Sequence, residues 1–348
     1  MTSCKRRPAP MVACALAALA LLSAGAAQAQ VELPRGVIRG NPLGICGHQA
    51  FVANSYSDTL SVIDLRTHRL TKQLPTGARP VNPTFNRDWT RLVVANARGG
   101  TLTMVDTKSA KVIDTIPAGG DHPSGLRFLP DGRHLVISFL GEKVEDQGWL
   151  GVLDLQTRKL VKTIPVQARS ERFDITPDGK RAYVANLIAQ TISVVDLDKG
   201  AVIATIPSPE RFPFNVLMSH DGARVFVAST LGGSIIEIDT ATNKVVNTIK
   251  TAPGPNGMAF TPDGFNILIT TVYSGRLQAY NRSANVLSEG SFVGLLPGFI
   301  RLAPDGLKGM FARPYGRQVS IFDATTMQII ENVETGEGPS TVAICGNP

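Results

Sequence analysis

Histidine, cysteine and serine are the residues from which metal centres and nucleophilic sites are most readily built, and in this chain their spacing builds none. His48, His68, His122, His134 and His220 stand singly, with no paired interval that would set two imidazoles on one zinc or copper ion. There is no Cys-x-x-Cys-His run for a covalent haem and no Gly-x-Ser-x-Gly nucleophile elbow. Gly99-Gly100 and Gly232-Gly233 fall between strand-like segments rather than ahead of a helix, so they read as hairpin turns and not as phosphate cradles. No cofactor and no metal are expected, and the chain leans away from being an enzyme. What remains with chemical capacity is arginine, whose planar fork offers paired donors to a carboxylate or phosphate, together with aromatic rings that can stack.

Those residues come in two series. Arg79, Asn82, His122, Arg169, Glu171, Arg172, Arg211, Asn215, Asn256 and Phe299 precede or enter apolar segments, and Tyr56, Arg98, Trp149, Tyr273, Arg276, Arg313, Tyr315 and Arg317 follow others. Whether they meet depends on the architecture. The composition is that of a globular chain: 348 residues, 43% hydrophobic, 18% charged, with Gly 33 and Pro 23 favouring many turns.

A strand ending in Asp, or once in Asn, recurs at Asp64, Asp106, Asp154, Asp196, Asp239, Asn281 and Asp323, at intervals of 42, 48, 42, 43, 42 and 42 residues. Seven copies at a period in the low forties specify a seven-bladed β-propeller, an all-β fold. Each copy has an entry loop, an apolar strand, a Pro-Asp-Gly-like turn, a β-rich strand, a short loop, the Asp-ended strand and a last strand. The clearest turns are Pro130-Asp131-Gly132, Pro177-Asp178-Gly179, Pro262-Asp263-Gly264 and Pro304-Asp305-Gly306, where Asp accepts from turn amides and Gly tolerates positive φ. The 48-residue interval carries an insert at 141–148, a lid or partner contact if it is more than a tolerated insertion.

The ring must close on itself. The segment Gly338 to Ile344 matches the entry and first strand around Gly254 to Phe260, yet no second strand follows it, while three strands without a first stand at the amino end. A mixed blade from both termini is therefore expected. In that alignment Cys345 takes the Thr261 position and Cys46 the Asp263 position, flanking one tight turn, so the two should form a disulfide.

The segments Phe51-Val52-Ala53-Asn54, Val93-Val94-Ala95-Asn96, Tyr183-Val184-Ala185-Asn186 and Phe226-Val227-Ala228-Ser229, each followed by a strand ending in Val or Ile and then Asp, resemble the YVTN family of β-propeller repeats. The resemblance covers nearly all of residues 48–345. It implies an exported seven-bladed propeller and leaves function open, since activities vary among its members.

The amino end reads as an address. Lys5, Arg6 and Arg7 precede an apolar run from Met11 to Leu22, and Ala27-Gln28-Ala29 supplies small residues for a signal peptidase. Twelve apolar residues reach about 18 Å, short of a roughly 30 Å hydrocarbon core. Residues 1–29 are expected to be a signal peptide and 30–348 a single propeller domain, periplasmic or secreted, with no membrane span, as a monomer. Losing those three basic residues takes the formal charge from +7 to +4, too little to imply nucleic acid by itself.

In a propeller the entry loops and the loops between second and third strands share one face around the central channel. The candidate ligand-binding residues are accordingly Arg79, His122, Arg172, Arg211, Asn215, Asn256, Arg98, Arg276, Arg313 and Tyr315. Acids interleaved with them make a solvated, salt-laced surface the plainer reading of these loops. The functional reading is a non-enzymatic binding or scaffold propeller that takes a small anionic ligand or a partner protein at the channel mouth. Single-stranded nucleic acid, which some YVTN-like propellers are thought to bind, is an alternative carried by Arg98, Arg276, Arg313 and the tyrosines. Lactone hydrolysis or a related lyase reaction at Asp174, Asn215 and Asn256 is another, because fold alone does not choose chemistry.

Overall fold

Short runs of β-branched and aromatic residues, closed at each end by Asp, Gly or Pro, produce strands of about six residues that pair with their sequence neighbours. The computed structural model describes residues 43–141 and 146–346. The expected signal peptide and the centre of the 141–148 insert lie outside the described residues. The strands make seven antiparallel sheets. Their innermost strands are Pro80–Phe85, Pro123–Phe128, Arg172–Ile175, Pro213–Met218, Pro255–Phe260, Ile300–Leu302 and Pro339–Ile344. Each touches the next, and the last touches the first, so the blades form a closed ring; they are numbered here in that order.

Blade seven is the mixed one. The carboxyl-terminal strand Pro339–Ile344 pairs with Gln49–Asn54, which continues into Thr59–Asp64 and Arg69–Pro75. Cys46 and Cys345 are disulfide-bonded beside this seam, with their Cα atoms 6.1 Å apart. The seam is also stitched by the Ser55 and Ser340 hydroxyls, 2.9 Å apart, and by the Asn82 amide donating to the Thr341 hydroxyl at 2.8 Å.

A blade is buried on both faces, and this explains why the second and third strands are apolar in runs rather than in alternation. Val93, Val94 and Ala95 are all fully buried, as are Tyr183, Val184 and Ala185. The hydrophobic clusters accordingly lie between blades. One joins Val52 and Ile63 of blade seven to Met310, Ala312 and Ile321 of blade six. Another joins Tyr183 and Val194 of blade three to Val225 and Ile236 of blade four.

The repeated polar residues have structural partners. Asn186 at the end of its strand donates to Thr191 at 3.0 Å and Ser193 at 2.8 Å, and Asn54 and Asn96 do the same in their blades. The terminal Asp of the third strand accepts from backbone amides of the following turn: Asp239 takes those of Ala241 and Thr242 at 3.1 and 2.8 Å. The Pro-Asp-Gly turns also interlock. Gly222 has φ of 71°, and a Cβ there would stand 2.7 Å from Cδ of Pro177 in the preceding blade's turn. Pro262 lies against Gly306 in the same way.

Two blades depart from the regular pattern. In blade two the long interval is partly strand: Gln147–Asp154 and Lys159–Ala168 form an extended hairpin that pairs Gln147 with Ala168. Trp149, expected on a loop, is in that hairpin and stacks on Phe139 with ring centroids 3.8 Å apart. In blade five the outer strand is broken into Val286–Leu287 and Ser291–Phe292 around Gly290, whose φ is 75°.

Candidate functional site

The inner strands carry two consecutive layers of channel residues. At one repeat position stand Asn82, Gly125, Arg172, Asn215, Gly257, Phe299 and Thr341, Arg172 opening its strand and Phe299 just preceding its own; two residues further on come Thr84, Arg127, Asp174 and Arg301, while Ala259 and Ala343 at that position pack into the clusters between blades. A small cavity among them, about 20 Å³, is lined by Asn82, Thr84, Arg127, Arg172, Asn215, Phe299, Arg301 and Thr341. Each strand presents different chemistry to the same space because the repeat fixes its backbone while leaving these side chains free to vary.

Three guanidinium groups and one carboxylate dominate the electrostatics. Arg127 Nε donates to Asp174 Oδ1 at 2.7 Å, and the second carboxylate oxygen accepts from the Met218 amide at 2.9 Å. Asp174 is thus fully committed. Arg172 reaches across to the Asn82 side-chain oxygen, and its guanidinium lies over the Phe299 ring, 4.0 Å from the centroid. Its Nε is buried without a hydrogen-bond partner. Arg301 donates to the carbonyl of its neighbour Ile300 at 2.9 Å. Among the described residues neither Arg172 nor Arg301 has a carboxylate within ion-pair distance.

Burial pushes Arg172 down to about 9; Glu171 opposes the shift, and repulsion from Arg127 and Arg301 adds to it. Arg301 is lowered to about 10, again by burial first and then by Arg127, with Asp174 acting the other way. Both stay cationic at neutral pH. The channel therefore holds a net charge of two positive units on these four side chains, poorly solvated and short of acceptors, which is the electrostatic condition for taking up an anion.

The two loop series share one face, as expected. The Arg98 amide donates to the Ala78 carbonyl at 3.1 Å, the Tyr56 amide to Glu337 at 3.1 Å and the Gly232 amide to Arg211 at 3.0 Å. Of the residues singled out from the sequence, Asn82, Arg172, Asn215 and Phe299 line the cavity. Asn256 lies beside them, its carbonyl accepting from Asn215 Nδ2 at 2.9 Å while its own Oδ1 is buried without a partner. Asn82, Arg172, Asn215 and Asn256 belong to the inner strands rather than to the entry loops. Arg79, Arg98, Arg211 and Tyr315 are exposed on the rim.

Three others are occupied by the fold. The His122 ring lies 3.0 Å from the Ala97 carbonyl oxygen. Arg276 caps the carbonyls of Glu289 and Gly290, both at 3.1 Å, where the outer strand breaks. Arg313 donates to Ser320 and to the Val293 carbonyl, each at 2.7 Å. Arg127 and Arg301 were missed by reading loops alone. Their signal was the repeat register, which puts them two residues after Gly125 and Phe299.

A larger cleft opens on the opposite face, lined by Asn86, Asp88, Thr90, Arg91, Arg133 and Gln156. Its polar groups already serve one another or the blades: Asp88 accepts from Thr90, Asn86 from the Arg91 amide, and Arg133 pairs with Asp154. Among the described residues no group of three or more His, Cys, Asp and Glu is placed to hold a metal ion.

A closed ring of seven four-stranded blades around a cationic channel defines the class, a β-propeller with a central polar site. A family model of the YNCE-like β-propeller matches residues 11–149 and 146–264, and the chain belongs to that family. It is 24% identical over 176 residues to antigen Lp49 of Leptospira interrogans, a stretch that is 46% of this chain and 38% of Lp49. It is 22% identical over 331 residues to the uncharacterised protein YwhL of Bacillus subtilis, covering 88% of this chain and 69% of that one. It is 23% identical to YncE of Salmonella typhimurium over 62% of this chain and 64% of YncE. The chain thus spans well under half of Lp49 and just under two-thirds of YncE.

Among solved structures, a protein of unknown function from Desulfotomaculum acetoxidans superimposes with a TM-score of 0.74 at 19% identity, over 86% of this chain and 99% of that one. The periplasmic gluconolactonase PpgL of Pseudomonas aeruginosa does so with a TM-score of 0.70, also at 19% identity, over 86% and 99% of the two chains. At these identities the likeness shows the fold alone.

Proposed function

We propose that this protein is an exported binding propeller, and not a catalyst, that receives a carboxylate in its central channel between Arg172 and Arg301. The observation that carries the reading is that, among the described residues, neither guanidinium in the channel has a carboxylate within ion-pair distance and Arg172 Nε has no acceptor. The cavity size decides among anions. About 20 Å³ is room for one or two waters, since a water needs about 10–15 Å³ by the same measure, so a two-oxygen carboxylate suits it better than a nucleotide. Asn82 and Asn215 would orient the group and Phe299 would hold the Arg172 fork flat.

Export is supported by the signal-like amino end and by the disulfide, which persists in an oxidising compartment. Among the described residues no helix is long and apolar enough to cross a membrane.

Calorimetric titration with acetate and succinate at two ionic strengths tests the proposal. Binding should weaken at least tenfold in Arg172→Met and in Arg301→Met, and should weaken with salt less steeply than surface pairing does because the site is buried. Absence of binding at millimolar acetate and succinate, or binding unaffected by either substitution, would overturn it.

A further inference from the structure

The loops between second and third strands carry a pattern that neither the fold nor the channel needs. In blade two the loop position two residues past the end of the second strand is Gly141, and in the other six blades it is Tyr56, Arg98, Ile188, Leu231, Tyr273 or Tyr315 (blades seven, one, three, four, five and six). Apart from Arg98, these are large apolar or aromatic side chains, and all are exposed: Ile188 by 42%, Leu231 by 50%, Tyr273 by 54%, Tyr56 by 69% and Tyr315 by 81%. Single exposed apolar residues need no explanation, but five at one repeated position around one opening form a surface.

Two of the rings are held over the entry loops rather than projecting freely. Tyr273 lies over Gly254, where φ is +85° and a Cβ would come within 2.7 Å of the ring, and Tyr56 lies over Gly338, where φ is +63°. The apolar ring therefore reaches inward to the loops that lead into the inner strands.

We infer that this face docks a polypeptide segment of a partner protein, with an acidic side chain inserted at the channel mouth and apolar side chains seated on the ring. The inference rests on the carboxylate reading of the channel and names the source of the carboxylate. Charge complementarity sets the centre of the segment, because the channel is cationic and short of acceptors. Apolar chemistry sets its flanks, because only one of the six ring positions is charged.

A single-stranded nucleic acid fits less well. Ile188 and Leu231 offer no π face for a base. Several arginines of this face are also already engaged: Arg276 and Arg313 with carbonyls, Arg169 with Glu171 at 3.0 Å and Arg317 with Glu337 at 3.1 Å.

An array of immobilised heptapeptides with Asp, Asn or Lys at the centre and Leu, Phe or Ser on the flanks, probed with the full chain and followed by fluorescence anisotropy, tests this. Peptides with central Asp and apolar flanks should bind, those with central Asn at least tenfold more weakly. Tyr273→Ser combined with Tyr315→Ser should weaken peptide binding at least tenfold and leave acetate binding unchanged, whereas Arg172→Met should weaken both. If Ser-flanked peptides bind equally well, if the tyrosine pair is dispensable, or if no peptide binds, the inference falls while acetate binding keeps the channel reading intact. If acetate binding is absent as well, the fault lies in that reading. Tighter binding of a thymidine decanucleotide than of any peptide, lost in the tyrosine pair, would assign the face to nucleic acid instead.

Discussion

Arg127 and Asp174 are 47 residues apart in sequence, and their side chains meet at 2.7 Å across the boundary between the second and third inner strands. That pair neutralises one of three channel arginines, whereas among the described residues Arg172 and Arg301 have no carboxylate within ion-pair distance. It therefore ties the stability of two blades to the net charge of the channel.

Asp174→Asn should separate those two effects. The substitution leaves Arg127 without its ionic partner and weakens the acceptor of the Met218 amide, both partly buried, and should cost about 1–3 kcal/mol, read as a fall in denaturation midpoint. The same change removes the Asp174 negative charge beside the channel arginines, so acetate should bind more tightly. A variant that loses stability and acetate affinity together would contradict this electrostatic account.

The Cys46–Cys345 bond closes a loop with a sequence separation of 299. The chain-entropy estimate for such a loop is about 5–6 kcal/mol, an upper figure because residual unfolded structure reduces it. Cys345→Ser should lower the melting temperature while leaving the β-sheet circular dichroism unchanged, since the terminal strand keeps its ladder to Gln49–Asn54. Recovery of both thiols free from exported protein would remove the bond as a determinant of stability.

Acid should unfold the ring from its turns. The Arg133 guanidinium beside Asp154 holds that carboxyl well below the usual carboxylate range, helped by the amides of Gln156 and Thr157. Ser109 does the same for Asp106, and the Thr242 amide and hydroxyl for Asp239. A depressed folded-state pKa contributes stability that is complete above the unfolded value of 3.8 and is lost as pH falls through the folded one. Melting temperature should therefore change little on this account from neutrality to about pH 5 and drop below about pH 4. Asp154→Asn should be less stable at neutral pH and shallower on the acid side; an unchanged acid limb would show that these turns are not responsible.

Gly222→Ala probes the turn interlock. An L side chain is disfavoured at φ of 71°, and its Cβ would press on the Pro177 ring of the neighbouring blade. About 2–3 kcal/mol of destabilisation is expected by chemical denaturation, against about 1 kcal/mol for Gly132→Ala, where the same turn position has φ of 67° but open space around it and only the backbone penalty applies. Equal losses at the two sites would mean that the interblade contact contributes nothing.

The period of the Asp-ended strands was enough to give seven blades, because each blade repeats the same local problem of turns and two-sided burial. The unmatched ends were enough to give the mixed blade and the Cys46–Cys345 pairing, because a ring has one way to complete a missing inner strand. Local chemistry also explained the turn carboxylates, whose partners are two or three residues away. The site was less legible. Arg276 and Arg313 look as available in sequence as Arg172, yet they are spent on carbonyls where the fifth blade's outer strand breaks, and no local signal marks that break except Gly290. Arg127 and Arg301 sit inside apolar strands, where a reading of loops does not search. Which arginines share the channel, and which of them Asp174 neutralises, was decided only when ring closure brought inner strands tens to hundreds of residues apart into one cavity, since the interaction of charges depends on distance in space and on burial, and neither is written in the separation along the chain.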